Sequence, residues 1–389
     1  MFERLIFRNA TSPGPLIDIG AVAEALIFYG HVDIVGNGAT IKFLLKEIPP
    51  LILLDLLRSK RLTLRFLSDQ IGVRTQDRQG AAPIHDLITF SSPQHTFEKE
   101  PFDLFYGRQP DRLAARRFAR SVVEVTHGTF DAQAVLASLL DSVRTERIVS
   151  ALLQAMVPEY ENEAPIRFQL QKENAGFTVD SNINFIKANS HYHKTISKDH
   201  SSLTHAYLLA LVQGAYEELY FAGVLESEIA VDPLSRVIHP HLLSSVLERR
   251  LASQSGINAF TSLTLASAHS IREAVNSGKV PFAEIIRLLD KADRFRDWLR
   301  SQPVDADLVK NYYDAVVRET WVEKLPARGT RWGLFTGGGI AVDALGLGGM
   351  GTALGVSLSA FDAFVLDKLI GGWKPHHFVE RDLKAIIQK

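Results

Sequence analysis

The run HVDIVGN (His31–Asn37) is followed by ATIKFLLKEI (Ala39–Ile48) and PPLILLDLLRS (Pro49–Ser59), and then by LTLRFLSDQIGVRT (Leu62–Thr75). The first run reads as a strand. The next two read as helices separated at Pro49-Pro50, because a residue before proline resists the α conformation. The last returns to a strand pattern and reads as one or two strands. Just upstream, PLIDIG (Pro15–Gly20) reads as a strand and AVAEALIFYG (Ala21–Gly30) as a helix. Strand runs alternating with helical runs predict a small α/β unit over residues 1–109.

With 389 residues the chain is too long for one ordinary core, so several packed units are expected. Hydrophobic residues make up 46% and charged residues 22%, which places it among globular proteins rather than disordered ones. A net charge of −1 removes any bulk electrostatic attraction to polyanions, so nucleic acid is not an expected partner. The absence of cysteine excludes disulfides, thiolate metal sites and thiol nucleophiles. The opening MFERLIFRNATSPGP has an acidic Glu3 and no apolar core of signal-peptide length, so a cytosolic location is expected.

From Pro110 the pattern changes. DRLAARRFARSVVEVTH (Asp111–His127) reads as one helix, and FDAQAVLASLLDSVRTERIVSALLQAM (Phe130–Met156) as another. IRFQLQ and GFTVDSNINF flank KENAG, with Gly176 in the turn, and predict a β-hairpin within a second unit, 110–201. A third region, 202–327, reads as mainly helical. It contains SSLTHAYLLALVQGAYEELYFAG, and SIREAVNSGK with a Ser270/Glu273 capping box, stopping at Gly278. A further helix there begins at Pro281 and ends before Pro303. The fold class expected is α+β, predominantly helical.

The final region, 328–389, holds GGGIAVDALGLGGMGTALGVSLSAFDAFVLDKLIGGWKP (Gly337–Pro375). Its G-x-G-x-x-G match, Gly346 to Gly351, lacks the second parallel strand that a dinucleotide fold needs. As a membrane span it is poor. Ala344–Phe361 carries five glycines, and Asp343 and Asp362 bracket it, each costing about 2.5–3.5 kcal/mol near a bilayer centre. The favoured reading is a glycine-lined helical hairpin. Gly333/Gly337 and Gly351/Gly355 are each four apart and let two backbones approach closely. Asp343 and Asp362 then become carboxylates beside apolar surroundings, as helix caps or ion-paired groups.

The histidines form the most chemically suggestive string. His191, His193, His200 and His205 fall close together in HYHKTISKDH and just beyond it. In an extended segment His191 and His193 would share a face, as two metal ligands must. With Asp199 they would make an N/O site for a divalent transition metal, although no standard metallohydrolase spacing is present. The alternative is a solvated loop. Lys194 and Asp199 have the mutual spacing of an H-x-K-x4-D phosphodiesterase motif, but no histidine stands two residues before the lysine. Arg112, Arg116 and Arg120 form a basic stripe on one helix, suited to phosphates or else to a solvated face, with Glu124 placed to pair Arg120. No P-loop or nucleophile elbow occurs.

RETWVEKLPARGTRWGLFTGGG (318–339), FDAFVLDKLIGGWKPHHF (361–378) and GFTVDSNINF (176–185) resemble pieces of a family of bacterial proteins with no assigned activity. The resemblance implies a bacterial cytosolic origin and transfers no site. The leading expectation is a non-enzymatic interaction or assembly protein, with a protein partner or a second copy as partner and no cofactor. The alternatives are a metal-dependent hydrolase using His191–His205, and an effector that engages membranes conditionally.

Overall fold

The computed structural model describes residues 3–9, 15–91, 97–128, 130, 132–162, 164–174, 176–196, 200–231, 234–242, 257, 271–301 and 377–387. In chain order it begins with β1 (Arg4–Arg8), α1 (Ile19–Phe28), β2 (His31–Gly36), α2 (Gly38–Glu47), α3 (Pro50–Arg58) and β3 (Leu62–Leu67). There follow β4 (Asp69–Arg78), β5 (Ala81–Ser91), α4 (Lys99–Arg108), α5 (Arg112–Ser121) and β6 (Val123–Val125). Next come α6 (Ala132–Leu139), α7 (Ser142–Met156), β7 (Phe168–Glu173), β8 (Gly176–Ser181), α8 (Phe185–Thr195) and α9 (His205–Val224). The two-residue β9 (Glu228–Ile229) and α10 (Ser235–Leu242) precede helices at Ile271–Asn276 and Phe282–Arg300. The fold is mixed α+β and rich in helix, as the sequence implies.

Five strands form a parallel sheet in the order β6-β3-β2-β1-β9. Parallel sheets need both faces covered, and β2 is buried from Val32 through Gly36 accordingly. Leu5, Phe7, Val32, Ile34, Leu62, Leu64 and Phe66 belong to the core shared with α1 to α5 and the helix Phe282–Arg300. Each such side chain contributes about 1.5–3 kcal/mol on burial. Alternation sends Ile6, Val35, Leu67 and Ile229 into a different cluster, with Phe221, Ala222 and Leu225 from the end of α9. The sheet is thus sandwiched between a helical layer and α9.

The second sheet is antiparallel, in the order β4-β5-β8-β7. The predicted hairpin is β7–β8, and Gly176 at its turn has φ +142. A Cβ there would lie 2.2 Å from the carbonyl oxygen of His85. The close pairing of β8 with β5 at His85–Phe177 therefore requires glycine. The first half of α9 packs on this side, with Leu208, Leu209, Leu211 and Val212 in a core shared with α7 and β7. One long helix therefore joins both sheets.

Several expectations are revised. PLIDIG is not a strand: Asp18 accepts from the Ala21 amide and starts α1 inside it. The first strand is instead RLIFR, within the N-terminal stretch. The helix predicted over 111–127 stops at Ser121, because VEV pairs with β3 as β6. Here tertiary pairing of β-branched residues overrides helical continuation. The single helix predicted over 130–156 is two, divided where Asp141 accepts from the Arg144 amide as the N-cap of α7. The hairpin glycines Gly333, Gly337, Gly351 and Gly355, with Asp343 and Asp362, lie outside the described residues.

Candidate functional site at the carboxyl edge of the parallel sheet

Ligands of open α/β sheets bind beyond the carboxyl ends of the strands. Three strand ends here deliver ionisable residues. Arg8 is the last residue of β1, and Asp69 and His127 each stand two positions past the ends of β3 and β6. The β3 and β6 ends are tied together by the Ser68 amide, which donates to the Val125 carbonyl at 3.2 Å. α9 runs antiparallel to β1. Its end lies over the start of β1, where Arg4 Nη1 donates to the Leu225 carbonyl at 2.9 Å, and its middle places Glu217 against the Arg8 guanidinium.

Asp69 accepts the His127 backbone N–H through both oxygens, at 3.0 and 3.1 Å, and meets His127 Nδ1 at 2.9 Å. An ionised carboxylate only accepts, so Nδ1 carries the proton. That leaves the lone pair on Nε2, which is itself buried. Glu217 Oε1 is 3.1 Å from Nε2 but off the axis of a hydrogen bond, so Nε2 has no aligned partner among the described residues. Gln213 Nε2 donates to the same Glu217 oxygen.

The site is deeply set. His127 is 4% exposed and Glu217 0%. Phe130, Tyr220 and Phe221 surround the imidazole, with ring centroids 5.7, 6.3 and 5.3 Å away. Burial holds His127 below the usual histidine range, Asp69 pulls it back up, and Arg8 pushes it down again. The net direction is downward, which favours the neutral ring. An imidazole fixed at Nδ1 by a carboxylate, with Nε2 unclaimed, can take and return a proton. Glu217 beside Nε2 favours the imidazolium that forms when it does so.

A second polar network lies on the same sheet face, nearer the amino ends of the strands. Asp33 is fully buried in β2. It accepts from Arg65 Nε at 2.7 Å, with Arg4 Nε at 3.4 Å and His31 Nε2 at 3.5 Å. Burial raises its pKa, but the His31 contact and the Arg65 charge outweigh this and hold it below the ordinary value. With its charge compensated away from the carboxyl edge, Asp33 is a structural tie between β1, β2 and β3.

The histidines singled out from the sequence are dispersed. HYHKT is helical, inside α8, so His191 and His193 stand about 200° apart around the axis rather than on one face. His191 Nδ1 and Lys194 Nζ meet Glu159 at 3.2 and 3.3 Å, while His193 Nε2 is 3.1 Å from Ser202 Oγ. His205 instead packs near His85 and within 4.7 Å of Phe185, centroid to centroid. His200 is exposed, and Asp199 lies outside the described residues. Among the described residues no group of three or more His, Asp or Glu side chains could hold a metal ion. Arg112, Arg116 and Arg120 are exposed along α5.

Arg8, Asp69, His127 and Glu217 were not signalled by any motif. The available clues were local: an acid two residues past the strand LTLRFL, and paired glutamates inside an otherwise apolar helix, GAYEELYFAG. A buried glutamate in such a helix demands a partner.

No protein-family model matches the chain, and neither a curated protein nor a solved structure is detectably similar to it.

Proposed function

We propose that the protein is an enzyme of hydrolytic type, with His127 as its general acid–base group and Asp69 as the residue that orients it. The observation that carries this reading is the unclaimed Nε2 of a buried imidazole whose Nδ1 is fixed by a carboxylate. Its position supports the reading, because the carboxyl edge of a parallel sheet is where such folds place ligands. Clusters of buried titratable groups also concentrate at working sites. In the proposed reaction His127 Nε2 takes a proton from an attacking water and passes it to the leaving group. Glu217 and Asp69 stabilise the imidazolium between the two steps, and Arg8 pairs with Glu217. A cytosolic setting belongs to the same proposal. Among the described residues no helix is long and apolar enough to cross a membrane.

This reading departs from the metal-dependent hydrolase expected at His191–His205, because those side chains do not converge. The assembly reading rests on 328–389, where only residues 377–387 are described, and takes no support from the site.

The test is turnover of a panel of chromogenic phosphoester, carboxylester and amide substrates by the wild-type chain and by His127→Gln. The reading expects at least one substrate to be turned over, with a loss of about 10²–10⁴-fold in the variant and an unchanged circular dichroism spectrum. Equal turnover by both proteins, or none by the wild type across the panel, would overturn it.

A further inference from the structure

The helix α5 reads RLAARRFARS and contains four arginines and no acid. Its apolar residues Ala114, Ala115, Phe118 and Ala119 are buried in the core. Arg112, Arg116, Arg117 and Arg120 are all exposed. None of the four side chains makes an ion pair or hydrogen bond among the described residues. Glu124, the acid placed to neutralise Arg120, is itself exposed and makes no such pair. Asp111, the residue before α5, turns its carboxylate to the Leu113 and Ala114 amides as the N-cap. The rest of the molecule cannot supply this charge by default, since the chain as a whole carries −1. The result is a concentrated basic face on a nearly neutral protein.

We propose that the outer face of α5 is a binding surface for the phosphate backbone of a nucleic acid. Arg112, Arg116 and Arg120 recur every fourth residue, which spaces their Cα atoms by about 6 Å per step along the axis. A row of that kind can grip successive backbone phosphates. Every cation on this face is arginine and none is lysine, and the planar guanidinium fork suits phosphate oxygens bidentately. A lipid surface fits less well, because a helix that lies in a membrane inserts its apolar face. The apolar face of α5 is already occupied by the core, leaving Leu113 as its exposed large apolar residue. Such contacts position a nucleic acid without reading its sequence, so binding is sequence-tolerant and steeply salt-dependent. This surface is independent of the His127 site: either can fail without the other.

The experiment is fluorescence anisotropy of labelled duplex and single-stranded 20-mers with the full chain, across a salt series. The comparison is with Arg112→Gln/Arg116→Gln/Arg117→Gln/Arg120→Gln and with a control, Lys42→Gln/Lys172→Gln, which removes exposed charge elsewhere. The proposal expects binding by the wild type and the control. It expects at least a tenfold loss in the α5 variant, with the slope of log K against log salt shallower by about 3–4. All six side chains are exposed, and circular dichroism confirms that each variant is folded. Three outcomes would overturn the proposal: no binding by the wild type, equal losses in the α5 variant and the control, or an affinity for anionic vesicles or a poly-glutamate peptide that matches or exceeds that for nucleic acid.

Discussion

Asp69 holds His127 at two points, accepting its backbone N–H at 3.0 Å and its Nδ1 at 2.9 Å across 58 positions of sequence. The backbone bond fixes where the residue after β6 sits, and the side-chain bond fixes which nitrogen carries the proton. One carboxylate therefore sets both the position and the tautomer of the group proposed to do the chemistry.

Asp69→Ala removes both bonds at once, because Oδ1 accepts from the backbone N–H and from Nδ1 alike. With no acceptor at Nδ1 the ring loses the contact that fixes its tautomer. Activity on any substrate found is expected to fall nearly as far as in His127→Gln, with a stability loss of only about 1–3 kcal/mol by urea denaturation. Full activity in Asp69→Ala would show that the tautomer does not matter.

Arg8 and Glu217 form a buried ion pair, so each depends on the other. Arg8→Met strands a carboxylate and Glu217→Met strands a guanidinium, and each is expected to cost about 3–5 kcal/mol. The double variant removes both charges. It is expected to be more stable than the sum of the single losses implies, by at least about 1 kcal/mol. Strict additivity in a urea double-mutant cycle would contradict direct pairing.

The small sheet should make the protein sensitive to mild acid. Burial, and His85 close by, lower the His205 pKa from 6.5 to about 4, and burial lowers that of His85 as well. Between these values the unfolded chain binds a proton at position 205 that the folded chain does not. Folded stability is thus fully present above about 6.5 and falls as pH drops towards 4, by on the order of 3 kcal/mol for His205 alone. His205→Phe, beside Phe168 and Phe185, should flatten the dependence of stability on pH between 6.5 and 4. An unchanged slope in that variant would place the sensitivity elsewhere.

Much of the architecture is legible because burial leaves a periodic trace. β2 and β3 are apolar runs, α9 is apolar nearly all round, and the β7–β8 hairpin announces itself at Gly176. The site is less legible for a physical reason. Its four members lie at positions 8, 69, 127 and 217, and each meets the others only after the parallel sheet has formed. His127 was hidden because VEV continues a helical pattern locally, and only pairing with β3 makes it a strand. The histidine string misled for the converse reason: nearness in sequence suggested convergence, and the helix α8 turns those side chains apart.

The central claim is that His127 is neutral at working pH, with its proton on Nδ1 and Nε2 unclaimed. Nitrogen-15 NMR of histidine-labelled protein, with His127→Gln for assignment, tests it directly. At pH 7.5 the account predicts one protonated nitrogen, Nδ1, and one bare nitrogen, Nε2. An imidazolium at that pH, or a wild-type ring carrying its proton on Nε2, would contradict it.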